Sequence, residues 1–184
     1  LDAHIDLDAN MCTALIVDKL LDGRFHDWAI TAAYGDNMIA KADELANNAG
    51  LSQQQKEQLK ELGTLINYNG YGSKIEDLHF HPAELYRALL KYTSPFEAIE
   101  DKASPYYQLQ SAYQQDMEAA LAVPAMHESC KLKLFELPNT AASRRISGVY
   151  CNSLANQNPD SAHAVLTENA DGTYTVSLRA PLNN

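Results

Sequence analysis

The feature that most constrains the fold is a change of hydrophobic period along the chain. Up to Leu121 the apolar residues recur at helical spacing, and after Pro124 they fall into short alternating runs. The last two runs, Ala164–Thr167 and Tyr174–Leu178, flank Asp171-Gly172 and predict an antiparallel hairpin. On an extended strand Tyr174, Val176 and Leu178 share one face, which the pattern assigns to the core. Thr175, Ser177 and Arg179 then share the polar face. A helical first half followed by a β-containing second half predicts an α/β fold in two parts.

The helical half reads in segments. Met11, Ala14, Leu15, Val17 and Leu21 predict a helix over 11–22, with Asp8 or Asn10 as its N-cap and Gly23 as its stop. Trp28–Tyr34 is an apolar run open to either a buried strand or a helix. Ile39–Asn47 and Ser52–Leu65 predict two helices, the second opened by a Ser52-x-x-Gln55 capping box. Pro82–Tyr92 predicts another, and Tyr106–Leu121 an amphipathic connector. In the second half Lys131–Glu136 and Gly148–Tyr150 read as β-like runs, with a helical piece at Asn152–Asn156. The expected division is therefore 1–104, a connector helix over 105–123, and a smaller α/β part over 124–184.

A formal charge of −10 argues against a non-specific grip on nucleic acid. No stretch approaches the roughly 20 apolar residues that span a bilayer. Cys12, Cys130 and Cys151 are widely spaced without a Cys-x-x-Cys, which fits a reducing cytoplasm better than a disulfide framework. The chain opens on Leu1 and enters helical pattern almost at once, so a fragment of a longer protein is expected.

Several residues could carry chemistry. His4, Asp6 and Asp8 alternate as metal ligands on a strand would, and His79-Phe-His81 repeats the spacing. Either set reads equally as an edge strand or a loop. Asp36 follows a small-residue turn at the end of an apolar run. It reads as a carboxylate at the rim of a sheet or as the N-cap of the Ile39–Asn47 helix. Asn67–Ser73 holds Tyr68 and Tyr71 among glycines, as either a base-stacking loop or a helix-ending turn. Arg144-Arg145 reads as a phosphate contact or as a solvated pair. A strand-end Arg179 can offer its guanidinium fork to a phosphate.

With those segments in view, the chain resembles the DHH phosphoesterases, in particular the exopolyphosphatase-related and oligoribonuclease-like branch with a DHHA1-type C-terminal domain. Ile5–Leu21 is similar to the strand and helix after the Asp-His-His motif. Tyr34-Gly35-Asp36-Asn37 is similar to the last metal-ligand motif, and Gly148–Arg179 to the start of the C-terminal domain with its Ser-Leu-Arg strand end. Asn37 and Ala180 stand where the family has Thr and Ser, and Asp-x-Asp, Asp-His-His and Gly-Gly-Gly-His are absent.

The resemblance implies the back half of a DHH-type α/β catalytic domain and the start of a smaller α/β substrate domain. It implies Mn²⁺ or Mg²⁺ as cofactor, Asp36 as a metal ligand and Arg179 as a substrate-binding residue, with the catalytic residues unknown; Tyr71 is expected to bind substrate from the loop reading above. The substrate would be a phosphodiester or phosphoanhydride of a small nucleotide, short oligonucleotide or polyphosphate. A homodimer is left open, no membrane partner is implied, and this length of chain is expected to be inactive alone. The alternative is a non-catalytic phosphate-binding, nucleotide-binding or interaction module.

Overall fold

The computed structural model describes residues 3–169 and 171–181. The fold is a mixed α/β one, as the change of period requires. The chain divides into two compact units, Leu1–Asn67 with Ala83–Gln108, and Tyr68–Pro82 with Leu109–Asn184. The first unit runs on to Gln108, and a short upstream segment, Tyr68–Pro82, belongs to the second unit.

The first unit is helical: α1 (Thr13–Leu20), α2 (His26–Gly35), α3 (Ile39–Asn48), α4 (Gln53–Tyr68, as far as Asn67), α5 (Pro82–Leu89), α6 (Pro95–Glu100) and the first turn of α7 (Pro105–Leu121). Trp28–Tyr34, open to either state, is helix. Its core collects Cys12, Leu15, Ala29, Ile30, Ala33, Tyr34, Ala42, Ala46 and Leu59. The capping box at α4 is present, with Gln55 N–H donating to Ser52 Oγ at 3.3 Å and Ser52 N–H to Gln55 Oε1 at 2.9 Å. At α1 the N-cap is Cys12, which makes no side-chain cap bond, rather than Asp8 or Asn10. Those two instead shape the preceding turns, Asn10 N–H donating to Asp8 Oδ1 at 2.8 Å.

Helices α2 and α4 touch backbone to backbone. A Cβ on Gly63 would lie 2.1 Å from the Thr31 carbonyl oxygen, and one on Gly35 would lie 2.8 Å from that of Gly63. Neither helix can yield without losing core contacts. Gly63→Ala is expected to cost about 2 kcal/mol or more by overpacking, seen as a lowered midpoint of thermal unfolding. An unchanged midpoint would mean that the two helices separate freely.

The second unit carries a four-stranded sheet in the order β1 (His127–Glu128), β2 (Leu132–Leu137), β3 (Ala162–Glu168), β4 (Tyr174–Arg179). β2 and β3 are parallel, joined by α8 (Ala141–Gln157), and the outer pairs are antiparallel. The hairpin expected at the end of the chain is present. Asp171 Oδ1 accepts from Thr173 N–H at 3.0 Å and Gly172 takes φ +79°; Ala170 lies outside the described residues.

Two expectations are corrected here. Gly148–Tyr150 and Asn152–Asn156 are not separate pieces but parts of the single helix α8, opened by Thr140 Oγ1 accepting from Ser143 N–H at 3.1 Å. The faces of β4 are also inverted. Tyr174, Val176 and Leu178 are 46, 56 and 56% exposed, whereas the Ser177 and Arg179 side meets α8. The alternation is real, but α8 covers the opposite face, where Val165, Phe135 and Leu137 supply the apolar core.

Candidate functional site

In the first unit Asp36 is neither at a strand end nor an N-cap. It is the C-cap of α2, followed by Asn37 at φ +60°. Met38 N–H donates to the Ala33 carbonyl at 2.9 Å and Asn37 N–H to that of Tyr34 at 3.0 Å, a Schellman ending. The N-cap of α3 is Met38. The Asp36 carboxylate is exposed at the edge of a groove of about 170 Å³, lined by Trp28, Thr31, Ala32, Gly35, Gly63, Ile66 and Asn67.

The Mn²⁺ or Mg²⁺ implied by the resemblance does not fit these residues. Among the described residues no three His, Cys, Asp or Glu side chains converge as a metal group, and Asp36 alone cannot hold an ion that takes six or more oxygen ligands. His4, Asp6 and Asp8 lie in exposed irregular chain, where Asp6 Oδ1 accepts from Asp8 N–H at 3.0 Å.

The second unit holds two ion pairs inside. Arg144 meets the buried Asp77 in two bonds of 2.8 and 2.9 Å. Arg145 meets the buried Asp116 at 2.9 and 3.2 Å and donates to the Asp77 carbonyl at 2.5 Å. The pair expected on a solvated surface or on phosphate is consumed by internal carboxylates. Arg144 and Ser73 together hold the Asp77 carboxyl far below the usual carboxylate range.

The fully buried Tyr68 donates its hydroxyl to Asp116 and accepts from His79 Nε2 at 2.9 Å and from Arg145 Nε at 3.2 Å. Burial, and then Asp116, pushes the Tyr68 hydroxyl far above its ordinary value. Because Tyr68 spends its proton on Asp116, His79 carries its own on Nε2. Burial and the Arg145 charge lower the His79 pKa from 6.5.

Tyr71, expected to stack on substrate, lies against α8. A Cβ on Gly148 would fall 2.4 Å from its ring, so a ring edge occupies the space that the glycine leaves. Arg179 sits where the sequence placed it, at the end of β4. Its Nε donates to Asn152 Oδ1 of α8 at 2.6 Å and its Nη1 to the Leu178 carbonyl at 2.9 Å. Asn152, Asp77 and Asp116 were not foreseen. Nothing local marks them, since their partners lie 27, 67 and 29 residues away in the chain.

Compared with known proteins, the chain matches no family model, no curated protein and no solved structure.

Two outcomes test the second unit. Asp116→Ala leaves Arg145 buried without its carboxylate and is expected to cost about 3 kcal/mol, against a smaller loss for Asp116→Asn, in chemical unfolding. Equal losses would show that the charge is immaterial. The depressed His79 pKa sets a pH dependence as well. The unfolded chain binds the proton more readily, so the stabilising contribution is complete above about 6.5 and is lost as pH falls through the lower folded value. His79→Gln should flatten unfolding free energy against pH in that window, and an unaltered slope would clear His79.

Proposed function

We propose that this chain supplies the phosphate-gripping part of a DHH-type phosphoesterase, a hydrolase acting on a phosphodiester or phosphoanhydride. The observation that carries the reading is the placement of Arg179. A guanidinium at a strand end, anchored through Nε to a buried Asn152 and through Nη1 to its own strand, is oriented before any ligand arrives. Such a fork can make paired bonds to a phosphate that a lysine cannot reproduce. The order of parallel β2 and β3 across α8, then an antiparallel strand ending in Ser-Leu-Arg, accompanies it.

The chemistry these residues perform is limited to binding: neutralising and orienting an anion. Metal-assisted hydrolysis in this reading needs ligands beyond the described residues, and no step is assigned to Asp36. The alternative, a non-catalytic phosphate-binding or interaction module, is favoured by the lack of a convergent metal group among the described residues. No helix among the described residues is long and apolar enough to cross a membrane. Three free cysteines, two of them buried, fit a reducing cytoplasm as the working place.

Titration calorimetry with inorganic pyrophosphate tests the reading. Wild type should bind, and Arg179→Lys should weaken binding about tenfold while leaving the unfolding midpoint near wild type. Equal affinity in the two proteins removes Arg179 from the phosphate. No binding by wild type leaves the interaction module standing.

A further inference from the structure

Strand β4 closes the sheet on one side, and among the described residues no strand pairs with its outer edge. Antiparallel ladders alternate hydrogen-bonded and non-bonded residue pairs. Asn169 N–H donates to the Thr173 carbonyl at 2.8 Å, so those two residues form a bonded pair just outside the ladder. The next pair, Glu168 with Tyr174, is then non-bonded, and so are Leu166 with Val176 and Ala164 with Leu178. The backbone N–H and C=O of Tyr174, Val176 and Leu178 therefore point away from β3, towards the free edge. Of these groups the Leu178 carbonyl alone has a partner among the described residues, Nη1 of Arg179, and it keeps a second lone pair.

Free edges are blunted in most proteins by lysine, proline, a bulge or a covering element. Tyr174-Thr-Val-Ser-Leu178 carries neither charge nor proline, and its pairing with β3 runs without a bulge. Tyr174, Val176 and Leu178 also stand exposed on the face that α8 leaves open, a face continued by the half-buried Leu166 and Leu134. The strand is complementary to itself. Turned antiparallel about a two-fold axis through Val176, it sets Val176 against its own copy and Tyr174 against Leu178 of the partner subunit. This register gives every outward N–H an outward C=O. A shift by one residue sets opposite faces against each other, and a shift by two leaves one end residue without a counterpart in the strand. No like charges meet, because Arg179 falls opposite the partner's Thr173.

We infer that β4 is a self-association edge, along which two copies of this chain pair antiparallel about Val176 into one continuous sheet. The inference stands on the backbone ladder and on the side chains of β4, and does not depend on phosphate at Arg179.

Sedimentation equilibrium of the whole chain, from micromolar to near-millimolar concentration, should show a reversible dimer. Val176→Lys sets like charges opposite each other at the axis and should weaken the dimer about tenfold. Val176→Pro removes an outward N–H that β3 does not use, and should weaken it at least as much. Val176 is 56% exposed, and far-ultraviolet circular dichroism checks that each variant stays folded. Cross-linking reads the register in a Cys130→Ser background, which removes the exposed thiol. Mild oxidation should join Val176→Cys chains in pairs, since the opposed backbones lie within disulfide reach. Tyr174→Cys chains should stay apart, because Tyr174 faces Leu178 of the partner subunit. Three results would overturn the inference. A monomer at every concentration leaves the edge to solvent or to a strand of another protein. A dimer that both Val176→Lys and Val176→Pro retain is held by another surface. Equal cross-linking of the two cysteine variants removes the Val176 axis. Every variant keeps Arg179, so pyrophosphate binding is measured separately and the two readings fail independently.

Discussion

Two adjacent arginines near the start of α8 organise the second unit. Successive helical residues point about 100° apart, so Arg144 and Arg145 reach different elements. One takes Asp77, beyond a tight turn, and the other takes Asp116 on α7. Arg145 also reaches the Asp77 carbonyl and the Tyr68 hydroxyl, so the two clamps share a segment. The energy of such an arrangement lies less in net stabilisation than in the cost of breaking it. Burying two ion pairs is nearly balanced by desolvation, but removing one partner strands the other in a low dielectric. The clamp thereby specifies which loop and which helix lie on α8. Asn69 completes the fixation, accepting from His79 and Phe80 N–H through Oδ1 and donating to the Phe80 carbonyl.

How much of this was legible follows from how far each cause reaches. The capping box at Ser52 and Gln55 spans four residues, and the hairpin from Ala164 to Leu178 fifteen, and both elements are present. The helix α8 was lost because Gly148-Val149-Tyr150 looks like strand by propensity. Its glycine in fact makes room for the Tyr71 ring, a contact between segments far apart in sequence. For the same reason Arg144-Arg145 looked like a solvated pair, since neither partner acid is local. Arg179 was placed correctly at its strand end, while its support by Asn152 could not be inferred without α8 as one helix.

The inverted faces of β4 make the same point in a sheet. Period two separates the side chains of a strand into two sets but does not state which set a helix will cover. Here α8 lies on the Ser177 and Arg179 side, where the Cys151 thiol donates to the Ser177 and His163 carbonyls and burial pushes that thiol up. The apolar set therefore faces away from α8. The inversion is also what brings Arg179 within reach of Asn152. On the expected arrangement the guanidinium would have stood on the open face, without an anchor.

The segment Tyr34-Gly35-Asp36-Asn37 shows why one short pattern supports two architectures. A run of small residues followed by Asp occurs where a strand ends at a ligand-binding rim. It also occurs where a tightly packed helix ends. Small residues serve the second case because α2 must meet α4 at Gly63 without intervening side chains. Asn37 serves it because its short polar side chain tolerates the left-handed backbone at φ +60° that closes the helix. Once the run is helical, the charge of Asp36 acquires a different meaning. At the rim of a sheet it would need other carboxylates to gather a metal ion. At a helix C-terminus it reinforces a dipole of its own sign, and the negative field is assembled from backbone and one side chain alone.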